Sequence, residues 1–313
     1  MKIAITGGTG FVGRHLAGRL LAEAHEVVVV TRTGQDLSNR SGLRVIAADI
    51  TDQDGLARAF EGCDAIVHCA GINREIGPQT YRAVHVDGTR AVVDAARQAG
   101  VLRLVMLSFL RARPDGPSAY HRSKWAAEDL VRTSGLEFTV VKAGVIYGRG
   151  DHMLDHVSRA FATFPVFGLV GMQERRMRPV AVADVARLLA AAALGDERLR
   201  HRTVQALGPE ELTLGDALRR IAEVMGRQPR FVRLPIAVHR LLARLWEATM
   251  VVPLVSRAQV EILAEGLVEA LPAADEPPHD LRPRTPFSEE SIAAGLPEPG
   301  GFTCRDLRLC ARG

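Results

Sequence analysis

Short, almost unbroken runs of valine and isoleucine recur along the first two thirds of the chain, at 2–6, 26–31, 44–48, 64–68, 103–108 and 138–142. Longer amphipathic segments separate them at 12–24, 53–61, 79–99 and 118–133. Runs this apolar belong to strands covered on both faces, which is the pattern of a parallel sheet. Strand–helix alternation then requires right-handed crossovers. The expected fold class is α/β, a doubly wound parallel sheet of the Rossmann kind.

The first of these units carries a glycine-rich turn. A strand ends at Thr6, glycines stand at Gly7, Gly8, Gly10 and Gly13, and a helical segment follows. Gly7 permits a tight turn, Gly10 lets a pyrophosphate approach the backbone, and Gly13 lets the helix pack closely on the strand. Bare amides and the helix dipole then favour an anion. The pattern sits between a strand and a helix, the context that gives such a motif its meaning. Gly7, Gly8, Thr9, Gly10, Phe11, Val12 and Gly13 are therefore candidate contacts for a dinucleotide.

The second strand ends Val30-Thr31-Arg32. No carboxylate stands there to bind a ribose 2′-hydroxyl, whereas Arg32 offers a fork of donors suited to a 2′-phosphate. NADP is the expected cofactor, with NAD as the alternative. Asp49 and Ile50 close the third strand. They suit an adenine amino group and ring, although Asp49 equally suits a helix cap. Cys69, Ala70 and Gly71 end the fourth strand with small residues that let a phosphoribose pass.

Tyr120 and Lys124 lie four residues apart, on one face of the helix after the fifth strand. A neighbouring ammonium favours a phenolate, so the hydroxyl can exchange a proton with a carbonyl or alcohol. The same lysine can bind ribose hydroxyls. Its presence is pointed, because only Lys2, Lys124 and Lys142 are lysines among 40 basic residues.

Taken together, Thr6–Gly13 and Tyr120–Lys124 make the chain resemble the short-chain dehydrogenase/reductase superfamily in its extended or atypical branch. Val86-Asp87-Gly88-Thr89, Gly144-Val145-Ile146-Tyr147-Gly148 and 179–186 add to the likeness. Ser118–Glu128 with Lys142–Gly148 is most similar to proteins related to the 39-kDa NAD(P)H-binding subunit of respiratory complex I. The resemblance implies a bound dinucleotide, with Lys124, Gly144 and Val145 among its contacts. It also implies Tyr120 as proton donor or acceptor, Lys124 as ribose anchor and Ser108 as oxyanion partner. The sequence departs from the family at His85 (usually Asn), at Leu110 (the usual place of a carbonyl-binding Ser or Thr) and at Ala143 (usually Pro). Two functions follow. One is NADP(H)-dependent oxidoreduction or epimerisation of a small carbonyl or alcohol. The other is dinucleotide binding by an accessory, assembly or sensing protein with little turnover.

The rest of the chain reads as follows. Residues 1–207 form the dinucleotide-binding domain, with a loop-rich insertion at 144–176 facing the substrate side. Residues 208–313 form a mainly helical region, with helices at 213–225, 235–249 and 256–271, a proline-rich extended stretch at 272–286 and a disordered last dozen residues. The apolar character of 231–255 suggests an apolar substrate. The helix at 235–249 suits a lid, or a helix resting on a membrane or a partner subunit.

His121 is expected at the surface or rim, and His85 either replaces the missing Asn or is a satisfied buried residue. Asp151-His152 with Asp155-His156 reads as a solvated loop and helix start, with no metal. The net charge of +4 comes from scattered arginines, so nucleic acid is not an expected partner. Four cysteines without a Cys-x-x-Cys pair, the lack of a signal-peptide pattern and the lack of a membrane-spanning run point to a cytoplasmic protein. A homo-oligomer is compatible with all of this.

Overall fold

The computed structural model describes residues 1–32 and 41–307, which fall into two compact units. The first comprises Met1–Ala143, Val182–Ala206 and Glu269–Pro283. Its elements are β1 (Lys2–Thr6), α1 (Phe11–Ala22), β2 (Glu26–Thr31), β3 (Leu43–Ala47), α2 (Gln53–Phe60), β4 (Ala65–His68), α3 (Gly88–Gln98), β5 (Arg103–Phe109), α4 (Ala119–Arg132), β6 (Glu137–Ala143), α5 (Val182–Ala193) and β7 (Arg202–Ala206). All seven strands are parallel, in the order β7-β6-β5-β4-β1-β2-β3. This is the doubly wound sheet that the alternation predicts.

Burial explains the composition of the strands. Ile3, Ala4, Ile5, Val27–Val30 and Ala65–Val67 are all buried, so a polar residue on either face would lose its water. Helices α1 and α5 pack together, and α2, α3 and α4 pack in sequence. Leu56, Phe60, Val92, Ala95, Ala96, Ala127 and Val131 join Ile66, Leu104 and Val140 in one core. After β3 the chain returns to the other side of β1. The carboxyl ends of β1 and β4 therefore flank the point where strand order reverses, and a doubly wound sheet binds ligands there.

The second unit comprises Gly144–Ala181, Leu207–Val268 and Arg284–Gly313. The stretch 144–176, expected to be loop-rich, contains a helix at His152–Thr163 and a strand at Val166–Val170. That strand runs parallel to Arg230–Leu234, a strand not anticipated from the sequence. Asp151 caps the helix by accepting from the Leu154 amide at 2.6 Å, which fixes the expected helix start. Tyr147 and Phe287 meet edge to face at 4.8 Å, and the Tyr147 hydroxyl donates to the Pro286 carbonyl.

Three further boundaries differ from expectation. The segment at 79–99 opens with a π-helical turn at Arg82–Asp87 before α3 begins. The helix expected at 256–271 is Arg257–Glu265, because Gly266 takes φ +81° and ends it. Of the last dozen residues, 302–307 are ordered, with Asp306 accepting from Arg159 at 2.7 Å. Residues 308–313 lie outside the described residues.

The glycine turn supplies a stability test. A methyl group on Gly13 would lie 2.2 Å from the Gly7 carbonyl oxygen, whereas one on Gly18 would meet nothing within 4 Å. Gly13→Ala should lower stability by about 1–3 kcal/mol. Gly18→Ala, in the same helix, should raise it by roughly 0.5–1 kcal/mol. Urea unfolding midpoints of the two variants check both signs.

Candidate functional site

At the carboxyl end of β1, Gly7 takes φ +71°, a conformation that disfavours any side chain. A Cβ there would also lie 2.7 Å from the Ala70 nitrogen, so the turns after β1 and β4 touch backbone to backbone. The Gly10 amide donates to the Gly7 carbonyl at 2.9 Å and closes the turn. Gly10 is also the N-cap of α1 and has no side chain to satisfy the first-turn amides. Thr9 and Gly10 are exposed. These features make a cradle of amide donors at a helix N-terminus, open to solvent, into which a diphosphate fits.

The loop 69–71 links this cradle to α4. A methyl group on Gly71 would lie 3.5 Å from His85 Nε2 and 4.0 Å from Lys124 Nζ. Lys124 is buried and donates to the Leu107 carbonyl at 2.9 Å. The histidines and the thiol packed beside it are held neutral by burial, while the Glu128 carboxylate acts on it through space. Burial pulls His68 down to about 3, and the Lys124 charge pulls it the same way. Burial holds His85 well below its ordinary range, again with help from Lys124. Burial lifts the Cys69 thiol to about 12.

Hydrogen bonds fix the tautomers of both histidines. Thr89 Oγ1 donates to the His85 carbonyl at 2.6 Å, so it accepts from His68 Nε2 at 3.0 Å. His68 Nδ1 then accepts from Thr6 Oγ1 at 2.7 Å. Ser123 Oγ donates to the Tyr120 carbonyl at 3.0 Å and accepts from His85 Nδ1 at 2.8 Å. His85 Nε2 accepts from the Ile72 amide at 3.1 Å. His85 thus ties the loop after β4 to α4. It is the satisfied buried histidine of the sequence reading, and it also holds the backbone.

Tyr120 lies one turn before Lys124 with its ring in an aromatic pocket. Tyr81, His85 and Phe109 stand 5.7, 5.6 and 5.3 Å from it, centroid to centroid. Burial, and then the Tyr81 phenol, push its pKa above the ordinary value. The ring is therefore a protonated phenol at neutral pH. The phenolate that an adjacent ammonium would favour is opposed by desolvation. His121, expected at the surface, is fully buried against Phe109, and its Nδ1 meets Ser118 Oγ at 2.7 Å.

Ser108 is placed elsewhere. Its hydroxyl donates to Glu128 Oε1 at 2.5 Å. Glu128 is fully buried and also accepts from Arg132 at 2.9 Å, with Lys142 Nζ at 3.5 Å. Lys142 donates further to the Ala112 and Leu271 carbonyls at 3.0 and 3.2 Å. This ionic network was not anticipated. Glu128 lies four residues beyond Lys124, and Lys142 is a lone lysine in an apolar strand, so the sequence did carry a signal. Leu110 is fully buried, its amide donating to Ala143 and its carbonyl accepting from Leu271.

The rim residues lie at the ends of β2 and β3. Arg32 is exposed, and its guanidinium meets the Gln79 side-chain amide. Asp49 is exposed and accepts from the Thr51 hydroxyl and amide at 2.6 and 2.9 Å. Those two bonds, together with Arg32, hold it below the usual carboxylate range. It is not the cap of α2, a role that Asp52 takes by accepting from the Gly55 amide at 3.0 Å. Ile50 is half-buried and packs by Gly88. In the second unit, Gly144 and Val145 are half-buried, and the Val145 carbonyl accepts from Val180 at 2.9 Å. Among the described residues, no group of three or more His, Cys, Asp or Glu side chains is arranged to hold a metal. No described helix is long and apolar enough to cross a membrane.

A parallel sheet of this order, with an open amide cradle at its reversal point, defines a dinucleotide-binding Rossmann protein. The chain belongs to the NAD(P)H-binding family, whose profile matches residues 7–196. It is 33% identical over 247 residues to "Ceramide reductase" of Caulobacter vibrioides, covering 74% of this chain and 73% of the relative. It is 26% identical over 268 residues to the mitochondrial NADH dehydrogenase (ubiquinone) 1 alpha subcomplex subunit 9 of Rattus norvegicus, covering 82% and 70%. MoeE5, solved in complex with UDP-glucose and NAD, shares the fold at a TM-score of 0.71 and 21% identity, covering 94% of this chain and 97% of that one. The expected likeness to extended short-chain dehydrogenases and to the complex I subunit stands.

Two measurements probe this electrostatic arrangement. Burial draws Lys124 down from 10.5 to about 8. Between pH 8 and 10.5 the unfolded chain therefore binds the proton that the folded chain has released, and stability rises with pH over that window. Wild type should gain on Lys124→Met in urea midpoint from pH 8 to 10.5 and show a constant offset below it. Ser108→Ala, which removes a donor from a buried carboxylate, should cost about 1.5–3 kcal/mol in the same assay.

Proposed function

We propose that the chain is an NADP(H)-dependent oxidoreductase acting on an apolar carbonyl or alcohol. The reading is carried by the continuity of the glycine cradle with Lys124 through Ala70 and Gly71, and by Tyr120 one turn away. The cradle amides of residues 8–13 would hold the pyrophosphate. Lys124, with Gly71 beside it, would hold the nicotinamide ribose, and Arg32 the 2′-phosphate. Cys69 and Ala70 would pass the phosphoribose, with Asp49 and Ile50 as flanking contacts. The cofactor, when bound, supplies or accepts hydride at its nicotinamide ring.

The protein's own contribution is proton transfer. A buried, protonated Tyr120 would donate its proton to a carbonyl oxygen during reduction and take it back during oxidation. Ser108 takes no part as oxyanion donor, since its hydrogen is committed to Glu128. The likeness to a ceramide reductase supports an apolar substrate and the reductive direction. A second reading, dinucleotide binding by an accessory subunit without turnover, is favoured by the buried Leu110 at the usual place of a carbonyl-binding hydroxyl and by the likeness to a complex I subunit.

Calorimetric titration with NADPH and NADH, followed by a carbonyl-reduction assay, separates the two. Arg32→Ala should weaken NADPH about ten- to a hundredfold, the worth of a charge-assisted bond, with NADH nearly unchanged. Tyr120→Phe should abolish turnover and leave NADPH affinity intact. Turnover that survives Tyr120→Phe overturns the catalytic assignment. Tight NADPH binding by wild type without turnover selects the accessory reading.

A further inference from the structure

The second unit carries a helix whose amphipathicity is inverted. Ile236–Thr249 turns His239 and Ala243 inward, where they are buried, and turns Leu241 and Leu245 outward. Leu241 is 66% exposed, Leu245 54% and Val238 38%. These three lie at i, i+3 and i+7 and form one stripe. Arg240 and Arg244 border the stripe on its far edge, four residues apart and both exposed. The helix is seated on the strand pair through Gly168, whose carbonyl lies 3.4 Å from His239 Nε2. Val166 and Val232 alternate to the same side of that pair as Gly168, and both are exposed. Phe167 and Phe231 turn to the other side and pack on Phe161.

Exposed leucines are normal singly, but a stripe of them is a contact surface. The charge around it identifies the contact. From 227 to 257 the chain has six arginines and one acid, Glu247, a net of +5. Arg233, Arg240 and Arg257 are paired with Glu174, Glu261 and Glu247. Arg227, Arg230 and Arg244 are exposed and have no carboxylate within ion-pair distance among the described residues. An apolar stripe bordered by Arg240 and the unpaired Arg244, on a 14-residue helix in a segment of net positive charge, is the chemistry of a helix that lies in the plane of an anionic bilayer, leucines in the acyl boundary and guanidinium groups at the phosphates.

We propose that Ile236–Thr249 is the docking element by which this protein rests on an anionic membrane surface. The full chain should float with vesicles of 7:3 phosphatidylcholine and phosphatidylglycerol, bind at least about tenfold less to pure phosphatidylcholine, and detach at about 0.5 M NaCl, where screening is short-ranged. Leu241→Glu with Leu245→Glu should abolish flotation, and Arg244→Glu should weaken it several-fold. Urea midpoint and NADPH affinity serve as controls that each variant is folded, and all three residues are outside the proposed dinucleotide site. The proposal is overturned if wild type fails to bind the anionic vesicles, or if the double substitution leaves binding unchanged. It is also overturned if sedimentation shows a dimer that Leu241→Glu dissociates while vesicles are ignored. That result would assign the stripe to a second copy of the chain.

Discussion

Backbone meeting backbone at the end of β1 is the contact on which the site depends. Gly7 rests against Ala70, and Gly13 against Gly7. A side chain at either glycine would push the first helix off the sheet or force apart the turns after β1 and β4. Because these turns touch, the amide cradle, the small residues at 69–71 and the lysine of α4 share one edge of the sheet.

A second theme is that the site's single buried ammonium has no carboxylate of its own. Lys124 donates to a backbone carbonyl, while His68, His85 and Cys69 around it are held neutral by burial. Glu128, the nearest acid along the helix, is occupied by Ser108, Arg132 and Lys142. An unpaired buried cation is costly to keep, which is why its proton affinity falls. That arrangement leaves the ammonium without a carboxylate partner, as the proposed ribose contact requires.

The two units place different demands on the reader of a sequence. In the first, the inner strands β1, β2, β4, β5 and β6 are largely buried on both faces, and hydrophobic runs record that directly. The glycine turn was equally legible, because positive φ and close approach exclude every other residue. In the second, the strand at Arg230–Leu234 is half exposed and pairs with a partner some 60 residues earlier in the chain, so no local pattern announces it. The helix at His152–Thr163 hid among glycines that serve the turns around it.

What the residues determined by themselves was the doubly wound sheet, its amide cradle and the Tyr120–Lys124 spacing, since each follows from local periodicity or backbone freedom. What only folding decided was partnership over distance. Ser108 faces Glu128, and His121, a predicted rim residue, is sealed beneath Phe109. Asp49 gives the cap of α2 to Asp52, and Lys142 finds carbonyls 30 and 129 residues away. Periodicity assigns a side chain to a face. The hydrogen-bond partner that it meets there depends on how the elements are stacked, and a one-dimensional pattern carries no record of that stacking.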